Sequence, residues 1–295
     1  MSAHKAGFVN IIGNPNVGKS TLMNALVGER LSIITSKAQT TRHRILGIVN
    51  GEDFQVVFSD TPGIIKPAYA LQESMMGFVR TALDDADVLL YMVEVGQQGL
   101  KDEAFLEKIR QSPVPVLLLI NKIDTTDQET LEQQVAYWAE TLPRAEIHPI
   151  SALERFNIQT VFDRILELLP QGPPFFPKDQ LTDKPERFFV SEIIREKILQ
   201  HYKKEIPYAV EIEVEAFEEG DDLIRIGAVI MVERDSQKGI LIGHKGSALK
   251  RVGSEARKDL EAFFDKKVYL ELYVKVNKNW RSDARQLRRF GYDQN

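Results

Sequence analysis

The chain has 295 residues, a length typical of two domains, and 43% of them are apolar, enough for each domain to form its own core. It contains no cysteine, which excludes a disulfide framework, cysteine-ligated metals and thiolate catalysis. The formal net charge of -5 does not by itself indicate a nucleic-acid partner. The central apolar run, residues 116–120, is far shorter than the ~20 residues of a membrane span, so we expect a cytoplasmic protein.

The first half of the chain alternates short apolar runs with amphipathic stretches that resemble helices. Six of these runs predict strands: GFVNIIG, HRILGIVN, FQVVFSD, DVLLYMVEV, VPVLLLIN and AEIHPIS. The run VLLLI is apolar at every position, which favours a strand that is covered on both faces. We therefore predict an α/β domain with a doubly wound, mostly parallel sheet over residues 1–170.

A change of composition separates the two halves. Five prolines lie between residues 170 and 185, and they predict an extended interdomain linker, which we place at 171–185. Residues 186–295 predict a smaller α+β domain with a basic C-terminal tail. Its elements follow the order helix, strand, strand, short helix, helix, strand, with the main segments FFVSEIIREKILQHY, YAVEIEVEAF, LIRIGAVIMVERD, Ser247 to Phe264 and KKVYLELYVKV.

The segment GNPNVGKS follows the first predicted strand and precedes a helix, which is the arrangement of a phosphate-binding loop. Its glycines allow the backbone to close around phosphates, which the loop N–H groups and the helix N-terminus attract. We predict that Lys19 contacts the β and γ phosphates and that Ser20 ligates Mg²⁺. The nucleotide-binding residues predicted in this segment are Gly13, Asn14, Pro15, Asn16, Val17, Gly18, Lys19, Ser20 and Thr21.

Two further segments are predicted to complete the phosphate site. Asp60 ends the strand FQVVFSD, where a carboxylate can reach Mg²⁺, and the Gly63 N–H can meet the γ-phosphate. Either Thr40 or Thr41 would ligate Mg²⁺ when the γ-phosphate is present, and the sequence does not distinguish them. Nucleotide contacts are predicted at Asp60, Thr61, Pro62 and Gly63. The predicted catalytic residues are Lys19, Thr40, Thr41 and Gly63, and the predicted metal ligands are Ser20, Thr41 and Asp60.

The base is predicted to be guanine. The segment NKID follows the buried strand VPVLLLI, and the Asp124 carboxylate can accept hydrogen bonds from guanine N1 and N2, which adenine does not offer. Such a cluster alone is usually a solvated loop, but behind a phosphate loop it indicates a guanine site. Ser151 and Ala152 follow the last strand and offer a small residue and a backbone N–H for the base edge. Base contacts are predicted at Asn121, Lys122, Asp124, Ser151 and Ala152.

The second domain contains the segment GHKG, and a second GxxG segment, GQQG, lies at Gly96–Gly99 in the first domain. GQQG is uncharged, whereas GHKG lies between the apolar run ILI and a long helix and carries Lys245. KH domains bind about four nucleotides with such a loop, and the order of elements around GHKG resembles the type II KH arrangement. A glycine-rich turn between helices is the alternative. RNA contacts are predicted at Gly243, His244, Lys245, Gly246, Lys250 and Arg251.

The charge distribution agrees with an RNA-binding second domain. Residues 238–290 contain 14 Lys and Arg against six Asp and Glu, a local charge of +8, so the rest of the chain sums to -13. Such a local excess is typical of a phosphate-binding surface. The tail around Trp280 is consistent with a membrane-surface element, an RNA-stacking arm or, the interpretation we favour, a terminal helix packed on its own domain.

The segments GNPNVGKS, QTTRH, DTPG, NKID and SA together resemble the five nucleotide motifs of the translation-factor-related small GTPases. Ile64 follows DTPG where Ras-like proteins carry a water-orienting Gln. The resemblance therefore points to the hydrophobic-substituted class, which often uses K⁺. Asn16 matches a residue that ligates K⁺ in some relatives, and a loop-stabilising hydrogen bond is an equal alternative. We expect slow intrinsic hydrolysis that K⁺ or a partner stimulates.

A GTPase domain joined by a proline-rich linker to a type II KH domain resembles the Era family of bacterial GTPases over nearly the whole chain. The resemblance implies GTP or GDP and Mg²⁺ as ligands, and binding of small-subunit (16S) ribosomal RNA near its 3′ end. It also implies a role in small-subunit assembly, a monomer, and peripheral association with the inner membrane. A GTPase that acts on another RNA, or at the membrane or in the cell cycle, is the alternative.

Overall fold

The computed structural model describes residues 4–100 and 102–292. The chain divides into two compact units. The first extends to Asp183, and the second begins at Lys184 and includes Tyr69–Leu71. No helix among the described residues is long and apolar enough to cross a membrane.

The first unit is an α/β fold built on six strands. The strands are β1 Lys5–Gly13, β2 Ile45–Asn50, β3 Phe54–Asp60, β4 Val88–Glu94, β5 Val116–Asn121 and β6 Glu146–Pro149. The helices are α1 Lys19–Val27, α2 Ala70–Asp84, α3 Glu103–Arg110, α4 Gln128–Thr141 and α5 Ile158–Leu168. The sheet order is β2-β3-β1-β4-β5-β6, and β2 is antiparallel to β3 while the other pairs are parallel. The predicted doubly wound, mostly parallel sheet is confirmed.

The parallel strands bring the predicted nucleotide motifs to one edge of the sheet. Strands β4 and β5 are buried almost throughout, as continuous apolar runs favour. Their carboxyl ends lie beside those of β1 and β3, because all four strands point the same way. The segments GNPNVGKS, DTPG and NKID follow these ends directly, and ligands in such sheets bind at this edge.

The proline-rich segment packs on the first unit. It forms no helix or strand, but the Ile48 N–H donates to the Leu181 carbonyl at 2.8 Å, and the Thr182 hydroxyl donates to the Leu46 carbonyl at 2.7 Å. The Gln55 side-chain oxygen accepts the N–H groups of Phe175 and Phe176 at 2.7 and 3.0 Å. Residues 181–183 of the segment predicted as a linker therefore cover the outer edge of β2, which would otherwise be an open sheet edge.

The second unit is a three-stranded sheet covered by helices on one face. Its strands are β7 Glu211–Glu219, β8 Leu223–Val232 and β9 Lys267–Val276, and its helices are α6 Glu186–His201, α7 Ile206–Ala209, α8 Asp235–Ile242, α9 Ser247–Phe264 and α10 Ala284–Arg289. Strand β8 is central, antiparallel to β7 and parallel to β9. Val252, Ala256 and Leu260 of α9 recur every four residues and are buried in the core over this sheet. The predicted smaller α+β domain is confirmed.

Short 3₁₀ turns complete the two units. They span Ile123–Thr125 in the first unit, and His244–Gly246 and Trp280–Ser282 in the second. Two helices begin at an aspartate N-cap. The Asp127 carboxylate accepts the Thr130 N–H at 2.8 Å at the start of α4, and Asp283 caps α10 in the same way. These caps bind N–H groups that the first helical turn leaves without a partner.

Candidate functional site

The loop between β1 and α1 depends on two glycines. A Cβ on Gly13 would lie 2.2 Å from the Met92 carbonyl oxygen, and a Cβ on Gly18 would lie 2.3 Å from the Asn121 side-chain nitrogen. Gly18 also has φ of 102°, which L residues rarely adopt. The backbone can therefore follow this path only with glycine at both positions, as the phosphate-loop prediction requires.

Lys19 lies at the centre of this loop. Its side chain is buried, and the ammonium donates to the carbonyls of Gly13 and Asn14 at 3.2 and 2.8 Å. Burial lowers the pKa of Lys19 to about 8, and the nearby carboxylate of Asp60 partly opposes this shift. The loop therefore holds a cation where its own N–H groups and the start of α1 also favour an anion.

Three oxygen atoms from separate segments meet beside the loop. The Ser20 hydroxyl donates to Asp60 Oδ2 at 2.7 Å and lies 2.9 Å from the Thr41 hydroxyl, which itself donates to Asp60 Oδ2 at 3.3 Å. Asp60 Oδ1 is buried and has no hydrogen-bond partner within the described part of the chain. Burial raises the pKa of the Asp60 carboxyl, against the hydrogen bond from Ser20. A buried, under-satisfied carboxylate beside two hydroxyls fits Mg²⁺, which prefers oxygen ligands.

The two candidate threonines lie in different surroundings. The Thr40 hydroxyl donates to the Lys37 carbonyl at 2.6 Å and lies 2.6 Å from the Thr35 hydroxyl, within its own segment. The Thr41 hydroxyl faces Ser20 and Asp60. The fold thus brings Thr41, and not Thr40, to the oxygen cluster.

The DTPG segment packs against the phosphate loop. A Cβ on Gly63 would lie 2.6 Å from Pro15 Cα, and the Ile64 N–H donates to the Gly13 carbonyl at 3.0 Å. The Thr61 hydroxyl donates to the Ile11 carbonyl at 2.6 Å, and Pro62 is buried with it. The Ile64 side chain is apolar and fully buried, so it cannot position a water by a hydrogen bond.

Asn121 connects two loops at the end of β5. Its amide donates to the Val17 carbonyl at 2.8 Å and accepts the Ala152 N–H at 2.9 Å. The Ala152 N–H, expected at the base edge, thus donates to Asn121. The buried Ser151 hydroxyl accepts the Glu154 N–H at 3.2 Å. Asn121 therefore fixes the phosphate loop relative to the last loop of the sheet.

Asp124 and Lys122 differ in their contacts. Asp124 lies exposed in the turn Ile123–Thr125, and its carboxylate has no partner among the residues that the structure describes. The Lys122 ammonium donates to the Glu94 carboxylate at the end of β4. Asp124 is thus free to accept hydrogen bonds from a base.

A cavity of about 400 Å³ lies over the phosphate loop. It is lined by the predicted residues Pro15, Asn16, Gly18, Lys19, Ser20, Thr21, Thr40, Thr41, Gly63 and Lys122. Five more residues, missed from the sequence, line it: Ile33, Ile34, Thr35, Ser36 and Gln39. Four of them lie in irregular chain between α1 and QTTRH that carries no motif, and Gln39 is the first residue of QTTRH itself. The Asn16 side chain donates to the Ser36 carbonyl at 3.0 Å and so joins this segment to the phosphate loop.

In the second unit, GHKG forms a tight connection between α8 and α9. Gly243 and Gly246 have φ of 71° and 78°, and a Cβ on Gly243 would lie 2.6 Å from that of Ala248. The side chains of His244 and Lys245 are exposed and have no partner among the described residues. The loop therefore presents a cation and an imidazole at the start of α9, where N–H groups favour phosphate.

A groove of about 360 Å³ runs from this loop between α9 and β9. Lys250, exposed on the first turns of α9, lines it with Gly246, both predicted from the sequence. Other lining residues, on α9 beside and beyond the predicted positions and on strand β9, carry no motif and were missed: Leu249, Gly253, Ser254, Arg257, Leu270 and Leu272.

Arg251 belongs to a charged group on α9. Its guanidinium donates to Glu255 at 3.2 Å and remains largely exposed, and His201 Nε2 lies 2.6 Å from the same carboxylate. The hydrogen bond from His201 lowers the pKa of Glu255. Arg251 is thus oriented by a neighbour, whereas His244, Lys245 and Lys250 are not.

The C-terminal tail packs on its own unit. The Trp280 indole N–H donates to the Ala209 carbonyl at 3.1 Å, and the Tyr292 hydroxyl donates to Glu211 at 2.8 Å. Trp280 and Leu287 are buried, in agreement with the interpretation favoured from the sequence. Trp280 is therefore a packing residue and is not available for base stacking.

Family models match both units. The model described as 50S ribosome-binding GTPase matches residues 8–122, and the KH domain model matches residues 205–281. The first match ends just after Asn121, and the second includes the GHKG loop and α9. The predicted combination of a GTPase domain and a KH domain is confirmed.

Known proteins match the whole chain. GTPase Era of Staphylococcus haemolyticus is 46% identical to this chain, and the alignment covers 99% of this chain and 98% of the relative's chain. GTPase Era of Alkaliphilus metalliredigens is also 46% identical, and that alignment covers 99% of this chain and 100% of the relative's chain. A solved variant of Aquifex aeolicus Era bound to GDP and AlF₄⁻ is 39% identical, with a TM-score of 0.94 over 98% of this chain and 100% of that one. A solved Era complex with MgGDPNP and nucleotides 1506–1542 of 16S ribosomal RNA is also 39% identical, with a TM-score of 0.94 over 99% of this chain and 100% of that one. The chain therefore belongs to the Era family of GTPases.

Proposed function

We propose that this GTPase is a GTP-dependent switch that binds small-subunit ribosomal RNA near its 3′ end and assists assembly of the small ribosomal subunit. One observation carries the proposal: an Era structure that matches the chain over its whole length holds a GTP analogue and 16S RNA together. The phosphate loop and the GHKG groove described above supply a candidate site for each.

The phosphate loop is proposed to hold the nucleotide phosphates, with Lys19 on the β and γ oxygens. Ser20, Thr41 and Asp60 are proposed to hold Mg²⁺, which neutralises charge on the phosphates during transfer. The distances among these three oxygens and the unpartnered Asp60 Oδ1 support this assignment. Thr40 is proposed instead to keep its segment folded.

Guanine is proposed to be recognised by Asp124, whose exposed carboxylate would accept hydrogen bonds from N1 and N2. Asn121, Ser151 and Ala152 would shape the loops around the base. Support comes from the two hydrogen bonds that Asn121 makes to the neighbouring loops. Because a site built around hydrogen-bond acceptors rejects a base without the matching donors, it would exclude adenine.

Hydrolysis by the protein alone is proposed to be slow and to be stimulated by K⁺ or by a partner. The buried Ile64 cannot orient the attacking water, which supports a low intrinsic rate. Asn16 is the proposed K⁺ ligand through its side-chain oxygen, since its nitrogen is bonded to the Ser36 carbonyl. Comparing single-turnover rates in KCl and NaCl tests this: equal rates would contradict it.

RNA is proposed to lie across the GHKG loop and along the groove between α9 and β9. The exposed side chains of His244, Lys245 and Lys250 would face its phosphates, with Arg251 nearby. The glycines would let the RNA backbone approach closely, and the groove, lined by leucines and by Lys250, Ser254 and Arg257, would hold about four unstacked bases. The local charge of +8 over residues 238–290 supports this surface.

The experiment is binding of a 16S 3′-end oligonucleotide to the full chain carrying His244→Asp and Lys245→Asp. We expect RNA affinity to fall at least about 100-fold while GDP affinity stays within twofold. The matched control is Lys278→Asp with Asn279→Asp, which makes the same charge change in another exposed loop that also holds a residue at positive φ. Unchanged RNA affinity in the first variant would contradict the proposed interface.

A second experiment crosslinks the protein to cellular RNA and sequences the bound fragments. It distinguishes binding of 16S ribosomal RNA from binding of another RNA. Recovery of 16S 3′-end sequences is expected.

We also propose, from the family resemblance, a cytoplasmic monomer that associates peripherally with the inner membrane. Sedimentation and vesicle flotation of the purified chain test these two properties.

A further inference from the structure

The second GxxG segment lies in a short loop after β4 that the proposed function does not use. We call residues 94–99 the GQQG loop. Gly96 and Gly99 have φ of 81° and 75°, and a Cβ on either would meet nothing within 4 Å. Glycine is therefore needed at both positions for the backbone conformation and not for close approach to another group.

Gln134 of α4 is hydrogen-bonded to the backbone of the GQQG loop. Its buried side chain accepts the Gly96 N–H at 2.8 Å and donates to the carbonyls of Glu94 and Gln97 at 3.0 and 3.2 Å. One amide therefore satisfies three backbone groups. Because buried polar groups without partners are costly, these bonds fix the course of the loop.

The GQQG loop is joined in turn to the base-binding segment. The Val95 N–H donates to the Asn121 carbonyl at 3.1 Å, and the Glu94 carboxylate accepts a hydrogen bond from the Lys122 ammonium. Lys122 has φ of 66°, which is uncommon for a residue other than glycine, and it lines the cavity over the phosphate loop. The Glu94 contact thus restrains a long side chain at the edge of the nucleotide site.

We propose that Glu94 and Gln134 are positioning residues that hold Lys122 in place and thereby slow the dissociation of GDP. This inference rests on the proposed role of Lys122 as a nucleotide contact. A contact that is already ordered loses less conformational entropy when the ligand binds. Differences in affinity among closely related complexes arise mostly in the dissociation rate, so that rate is the quantity to measure.

The experiment is stopped-flow dissociation of N-methylanthraniloyl-GDP from the full chain, chased with excess GDP. We expect Glu94→Gln and Lys122→Met each to raise the rate about tenfold, a change of about 1.4 kcal/mol. The double variant should be no faster than Lys122→Met alone, because both changes remove the same contact. Gln134→Leu should also raise the rate, since the loop that carries Glu94 loses its support.

The matched control is Glu107→Gln, which removes an ion pair to Arg110 of similar exposure on α3. Its rate should stay within twofold of the wild type, and all variants should unfold at similar temperatures. If Lys122→Met accelerates release and Glu94→Gln does not, the inference is wrong while the role of Lys122 stands. If neither variant accelerates release, both the inference and the proposed role of Lys122 are wrong. If the double variant shows the product of the two single accelerations, the inference is also wrong.

Discussion

Burial of Lys19 lowers its pKa, and the nearby charge of Asp60 raises it. The ammonium is held by the carbonyls of Gly13 and Asn14, and burial lowers the pKa of Lys19 to about 8. A bound di- or triphosphate places negative charge beside this group and would raise its pKa again. Well below pH 8 Lys19 is protonated with or without nucleotide, whereas as the pH rises through 8 the free protein progressively loses the proton that the complex keeps.

We therefore predict that GDP binding takes up a proton at alkaline pH. At pH 8.5 the uptake should be about three quarters of a proton, falling to about one tenth at pH 7, and affinity should decrease as pH rises through 8. Calorimetry of GDP binding in buffers of different ionisation enthalpy measures the uptake directly. Equal uptake at the two pH values would show that Lys19 does not titrate in this range.

Among the secondary-structure elements, β5 ends in Asn121, whose hydrogen bonds go to neighbouring loops of the proposed nucleotide site. Asn121 makes one hydrogen bond to the loop after β1 and one to the loop after β6. Both partners, the Val17 carbonyl and the Ala152 N–H, are buried, so each would lose its bond without gaining water. Asp124, three residues on, is exposed and free of protein partners within the described chain.

Asn121→Ala should consequently affect stability, whereas Asp124→Asn should affect base preference. Asn121→Ala should lower the free energy of unfolding of the nucleotide-free protein by about 2–4 kcal/mol, because two buried backbone groups lose their partners. Asp124→Asn should leave that energy within about 0.5 kcal/mol and shift preference from guanine to xanthine nucleotides. Urea unfolding and competition binding measure the two properties. Unchanged GTP binding by Asp124→Asn would refute its recognition of the base.

At the scale of the whole molecule, net charge conceals two opposed regions. The chain carries -5 overall, but residues 238–290 carry +8 and include both the GHKG loop and the groove-lining helix α9. RNA binding should thus follow this local charge and not the net charge, because counterions are released from phosphates where Lys and Arg lie.

RNA affinity should therefore depend steeply on salt. With about four phosphates contacted, log K should fall with log[KCl] with a slope of about -3, about 50-fold between 50 and 200 mM. Lys250→Met should reduce the slope by about 0.7, and Lys278→Met, outside the groove, should leave it unchanged. Fluorescence anisotropy of a labelled oligonucleotide gives the slopes, and a slope near zero for the wild type would exclude phosphate contacts as the main source of affinity.

The GTPase fold and the KH domain were predictable because each leaves a pattern in chain that is local in sequence. Glycines at fixed spacing, continuous apolar strands and a proline-rich boundary all leave a pattern within a few residues. The same holds for GHKG, since a positive φ at Gly243 and Gly246 is a local backbone requirement.

Contacts between distant residues were decided by the tertiary structure alone. Thr41 and Thr40 are equivalent in the sequence, and only the position of Asp60, on another strand, separates them. The bond from Gln134 to the GQQG loop and the groove between α9 and β9 join segments far apart in the chain. Local stretches of sequence therefore specify which chemical groups are present and where the backbone turns. Their partners depend on strand order and helix packing, which no local pattern records.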